Sequence, residues 1–275
     1  MLKKLMKHEL RATGRVMGPM LLLTLIAAVG GNIATHGLLE ANHGMLNFLG
    51  MVLLAGFILT LAAVIIVSFV LMIQRFYKNL LRDEGYLMMT LPVTVHEHVL
   101  SKLLVSLIWM AATAAAVILA MLILLYEQEV VHLIAEGFAQ LQLELRFGGV
   151  RVAEYMMDFA ACGMELVLMM IVAAACTCLQ LYAAMAAGHS FTHHKGLLSV
   201  AACFVFSIAW NIIQNAMSYP LNLMDVEGFR MWMQNLLPTT QMHVMLLGVT
   251  GLLLIPCALW YVITIYFLKH RLNIG

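Results

Sequence analysis

The side chains able to carry chemistry are few, and most sit in stretches otherwise built of apolar residues. Glu165 is the only acidic residue inside those stretches. An ionisable group in hydrocarbon needs a partner or a water-filled path. Glu165 therefore lines a pathway, pairs across a helix interface, or lies in solvent at the outer boundary. Asn211, Gln214 and Asn215 recur at i, i+3 and i+4, which makes one polar stripe on a helix. That stripe either faces a translocation route or hydrogen-bonds to neighbouring helices. His189 and His193 have the spacing of a helical metal pair, with His194 and Lys195 beside them. No acidic base accompanies them, and the segment reads as a short basic turn suited to lipid headgroups or a protein partner. Cys162, Cys176, Cys178, Cys203 and Cys257 all fall within apolar stretches. Cys176 and Cys178 are two apart and point to different helix faces, so neither a disulfide nor a zinc site is expected there. No metal site is assigned.

Enzymatic machinery is not found. Gly188–Gly196 contains Gly and Lys, but not in the order of a phosphate-binding loop, and no strand precedes it. There is no Gly-x-Ser-x-Gly elbow and no His-Glu-x-x-His pair. His96-Glu97-His98 places its two histidines on opposite sides of a helix. The chain is expected to be no enzyme and to hold no cofactor of its own.

The elements that position these residues are set by hydropathy. Only 11% of residues are charged and the mean hydropathy is +0.95, whereas soluble domains carry about 25% charged residues. Apolar stretches run over Val16–Thr35, Asn47–Met72, Leu103–Tyr126, Phe159–Ala186, Leu197–Met217 and Val244–Leu268. Each has about 20 residues or more, enough to cross ~30 Å of hydrocarbon as a helix. The fold expected is an all-α polytopic membrane protein with six spans, read as a single transmembrane domain over residues 1–275.

Charge gives the orientation. Of the 15 Lys and Arg, only Arg146, Arg151 and Arg230 fall outside the N-terminal arm, the second and fourth connections, and the tail. Basic residues are retained on the cytoplasmic side, so both termini are expected inside, in a multi-pass cell-membrane protein. The first stretch is too long for a signal core, so no cleavable leader is expected. No nucleic-acid partner is expected; membrane lipid is.

The connections carry their own patterns. Residues 1–15 place Leu2, Leu5, Met6 and Leu10 opposite Lys3, Lys4, Lys7, His8 and Arg11, an interfacial amphipathic helix. Gly14, Gly18 and Pro19 allow a bend into the first span. The cytoplasmic region 74–102 holds a helix stop at Gly85, a break at Pro92, and a capping box from Thr94 to Glu97. Its apolar run Tyr86-Leu87-Met88-Met89 lies outside any span and calls for a partner surface. Residues 127–158 have helical apolar spacing, so the third span is expected to continue outward and turn at Gly148-Gly149. Residues 218–243 are too apolar for a solvated loop and fit a pair of short re-entrant helices before the last span.

This layout resembles the permease subunits of ABC-2-type transporters, the type V exporter fold. Phe76-Tyr77-Lys78-Asn79-Leu80, Asp83-Glu84-Gly85-Tyr86-Leu87-Met88, Thr90-Leu91-Pro92-Val93 and Ser101-Lys102-Leu103 are similar to small permeases of Gram-positive bacteria. The topological resemblance covers the whole chain; the sequence resemblance covers residues 76–103. It implies a coupling helix within residues 76–92 (Tyr77, Asp83, Glu84, Gly85, Tyr86, Leu87, Met88, Pro92) docking on a cytoplasmic ATP-binding cassette ATPase dimer. It implies a second contact at Gly188–Gly196 through His193 and His194. A second permease chain, identical or paralogous, would complete the pathway, with ATP and Mg held by the ATPase. Pathway-lining positions implied are Phe57, Thr60, Val64, Glu165, Asn211, Gln214 and Asn215. A membrane sensor or scaffold of the same fold and a secondary transporter are the competing expectations.

Overall fold

The computed structural model describes residues 2–39, 44–78, 94–147, 152–191, 195–223 and 226–270. Among these the protein is all-α and polytopic. Its helices are α1 (Leu2–Ile33), α2 (Gly44–Phe76), α3 (Val95–Leu124), α4 (Gln128–Phe147), α5 (Val152–Gly188), α6 (Lys195–Leu223), α7 (Val226–Gln234) and α8 (Pro238–His270). Six of them are long and apolar enough to cross a membrane, and they coincide with the six apolar stretches.

Two compact units divide the chain: Met1–Met72 with Leu104–Val152, and Ile73–Leu103 with Ala153–Gly275. In the first, α1 buries Glu9, Thr13, Met17, Thr24, Ala28 and Gly31 along one face. Small residues on that face let helices approach closely. Ala28, Phe57 and Ala120 form the centre, flanked by Leu25, Leu61, Ile123 and Leu124. A Cβ on Gly31 would lie 2.9 Å from Leu124 Cδ1, so the packing there depends on glycine. The Trp109 indole donates to Thr13 Oγ1 at 2.7 Å, and the Thr13 hydroxyl donates to the Glu9 carbonyl at 2.8 Å. The hydroxyls of Ser68 and Thr113 share a hydrogen bond of 2.8 Å.

The second unit is centred on α5. Cys178, Leu179, Tyr182, Ala183, Ala184, Met185, Ala186 and Ala187 are all buried, as expected of a helix apolar on every side. Gln180 donates to Ser207 Oγ at 2.8 Å, tying α5 to α6. The Phe206 and Trp260 rings stack 5.0 Å apart, and His96 Nδ1 lies 2.8 Å from the Tyr261 hydroxyl.

The capping box forms as its spacing predicts. Thr94 N–H donates to Glu97 Oε2 at 3.2 Å, and Glu97 N–H donates to Thr94 Oγ1 at 3.3 Å, which opens α3 at Val95. On the N-terminal arm, Leu2, Leu5, Met6 and Leu10 are half-buried while Lys3, Lys4, Lys7, His8 and Arg11 are exposed, which is the expected division of faces.

The helices depart from the local pattern at several points. The arm and the first span are one helix: α1 runs unbroken through Gly14, Gly18 and Pro19. The same helix then continues a few residues beyond the expected span end at Thr35 as a wider coil over Ala34–Leu38, closed by Leu39 N–H donating to the Ala34 carbonyl at 3.0 Å. The third span does not run on into the following amphipathic segment. The side-chain amide of Asn32 donates to the carbonyls of Leu124 and Tyr126, each at 3.1 Å. Two carbonyls that would continue the helix are thereby held from outside, and α4 restarts with Val131 N–H on the Glu127 carbonyl at 3.1 Å. Last, only one short helix, α7, lies before the final span among the described residues. α6 extends to Leu223, and α8 starts at Pro238, where the missing N–H costs nothing. Gln241 Nε2 donates to Met233 O at 2.9 Å and Leu236 O at 3.0 Å, joining the end of α7 to the start of α8.

Candidate functional site

Two places in the second unit gather the residues that matter. The first is the corner between α5 and α6. The chain leaves α5 through Gly188, where a Cβ would overlap the backbone N and Cα of Ser199. Only glycine lets the two helices meet so closely. His189 follows and is buried, 3% exposed. Its Nδ1–H donates to the Met185 carbonyl at 2.9 Å, with Ser199 Oγ 3.4 Å away. Burial is the main force lowering the His189 pKa below its ordinary value; the charge of Lys195 adds to it, and the bond to Met185 opposes both. The ring is therefore kept neutral near neutral pH.

Residues that close α2 pack onto this corner. Phe76 stacks on Tyr182 with ring centres 4.0 Å apart and planes 8° apart, and Tyr77 presents its ring edge-on to His189 at 5.1 Å. Both aromatic pairs fall in the geometries that such rings prefer. Thus Tyr77 and the turn after α5, read from sequence as belonging to two separate connections, meet in one place. Asp83, Glu84, Gly85, Tyr86, Leu87, Met88 and Pro92 lie outside the described residues, as do His193 and His194. Nearby in sequence, His98, Ser101 and Lys102 are buried on α3 at 1%, 1% and 4% exposure. The charge count placed Lys102 in a connection; its burial within a helix is a tertiary effect.

The second place joins α5 to α8. Glu165 Oε2 lies 2.9 Å from His243 Nδ1, both side chains largely covered. Of the three environments open to Glu165, pairing across a helix interface is the one this contact displays. Cys162, one turn earlier on α5, places Sγ 3.6 Å from both ring nitrogens of His243. The donor atoms of Cys162, Glu165 and His243 all lie within 4.8 Å of one another. Beside them is a cavity of 390 Å³ lined by Phe159, Cys162, Gly163, Leu166, Gln241, Met242, Met245 and Leu246. Sequence reading singled out Glu165 but missed both partners. His243 is 78 residues away and carries no local signal.

The other pathway candidates divide by unit. Phe57 and Val64 are buried in the core of the first, at 2% and 0% exposure. Thr60 is half-buried and donates to the Phe57 carbonyl at 2.8 Å. In the second unit Asn211, Gln214 and Asn215 are all exposed. Asn211 and Asn215 donate to the carbonyls one turn back, Ser207 and Asn211, each at 2.9 Å. Among the described residues the stripe therefore lies on the surface of the second unit.

Compared with known proteins, the chain matches no family model, no curated protein and no solved structure.

Proposed function

We propose that this chain is the transmembrane permease subunit of an ATP-driven exporter. It would work as a dimer, in a bacterial cell membrane with both termini cytoplasmic, alongside separate ATP-binding cassette subunits. The observation that carries the reading is the packing of Phe76 and Tyr77 on Tyr182 and His189. A device that transmits motion from a soluble motor needs its docking segment braced against the spans. Here the residue pair that enters the 74–102 connection is braced against the end of α5, at the corner that leads into the other basic connection.

The exposed stripe on α6 supports the dimer. Amides facing lipid are costly, so Asn211, Gln214 and Asn215 call for a second chain or a water-filled route across them. In this reading ATP closes the cassettes, the coupling segment moves with them, and the α5–α6 corner carries that motion into the pathway.

The reading is tested in proteoliposomes holding the complex. Tyr77→Ala and Tyr86→Ala are expected to leave assembly intact and to lower export per ATP hydrolysed at least about tenfold, a loss of ~1.4 kcal/mol of coupling. Unchanged coupling in both variants would contradict it.

A further inference from the structure

The Cys162–Glu165–His243 cluster has the donor set and spacing of a transition-metal site. We propose that it binds one Zn²⁺-type divalent cation per chain, between α5 and α8. Three observations carry this.

The first is donor chemistry. A thiolate, an imidazole and a carboxylate are the three ligand types that zinc takes from proteins, and sites with three protein ligands keep a fourth position for water or another group. The second is spacing. Tetrahedral geometry with bonds of roughly 2.3 Å to sulfur and 2.0–2.1 Å to nitrogen and oxygen sets S···N edges near ~3.5 Å and N···O edges near ~3.3 Å. In the structure Sγ lies 3.6 Å from both Nδ1 and Nε2 of His243, Nδ1 lies 2.9 Å from Oε2, and the three donors all fall within 4.8 Å of one another. Rotation of the Cys162 and His243 side chains about their own bonds would bring the three donors onto one ion. Cys162 and Glu165 stand three apart on α5, so one helix presents both on the same face.

The third is charge balance. Cys162 begins about 9 Å inside the span that starts at Met156, counted at 1.5 Å per residue. A dication held by one thiolate, one carboxylate and one neutral imidazole is electrically neutral as a unit. Such a unit is far less costly in an apolar setting than any of its charges alone. The adjoining 390 Å³ cavity shares Cys162 as a lining residue and leaves room for a fourth ligand.

The inference is independent of the exporter reading, because it concerns this chain alone. It is tested with the full-length chain in detergent, stripped with chelator and titrated with Co²⁺, whose thiolate charge-transfer and tetrahedral d–d absorptions report ligand type and geometry directly. One Co²⁺ per chain with a thiolate band, displaced stoichiometrically by Zn²⁺, is expected. Cys162→Ser should abolish that band, Cys176→Ser should leave it unchanged, and His243→Gln should weaken binding by at least about tenfold. A wild-type chain that shows no thiolate–cobalt band overturns the proposal without reference to any variant. So does a band that survives Cys162→Ser at full strength.

Discussion

At the scale of single residues, Gly188 and His189 bear the heaviest demands. Adding one carbon at Gly188 would drive it into the backbone of Ser199, which has no flexible end to move aside. Gly188→Ala is therefore expected to destabilise the protein by about 1–3 kcal/mol or more through overpacking, read as a lower Tm in detergent. His189 makes a prediction about pH. In the unfolded chain its pKa is about 6.5, and in the fold burial holds it lower. Above the unfolded value both states are neutral there and nothing is lost. As pH falls below it, the unfolded chain takes up a proton that the folded corner refuses, so stability declines. Thermal melts between pH 7.5 and pH 5 should show that decline, and His189→Gln should flatten it. The pair of Glu165 with His243 belongs to the same scale. Glu165 was legible as a residue that needed an explanation, because charge is rare in apolar sequence. Its partner was not, because nothing in local pattern brings α8 to α5.

At the scale of elements, the six spans were legible because bilayer thickness forces about 20 apolar residues into each. The capping box was legible because both halves of it lie within four residues. The interruption after Leu124 was not, since Asn32 makes it from 92 residues away. Asn32→Leu removes the donor to both carbonyls, and it is expected to cost about 1–3 kcal/mol. Hydrogen exchange should then rise at Leu125–Val131, where the present turn is held, while exchange in the centre of α2 stays unchanged. The apolar periodicity after Glu127 correctly marked a helix, and α4 exists over Gln128–Phe147. What periodicity could not mark is whether one helix or two carry it, because a break of three residues preserves much of the pattern.

At the scale of the whole molecule, the proposed permease joins six apolar helices to a separate ATPase. In that proposal the asymmetry of Lys and Arg gives the orientation, and the exposed amides of α6 give the reason for a second chain. Replacing Asn211 and Gln214 together by Leu is expected to lower export at least about tenfold (~1.4 kcal/mol) with the fold retained, checked by transport assay beside a thermal melt. The most direct test of the central claim is affinity purification of the tagged chain from its native membrane in mild detergent, with mass spectrometry of the retained proteins. The account predicts a cytoplasmic protein with a nucleotide-binding phosphate loop, present in one-to-one ratio with the permease chain and released when Tyr77 and Tyr86 are both replaced by Asp. Recovery of the chain without any such ATPase, across several detergents, would contradict it.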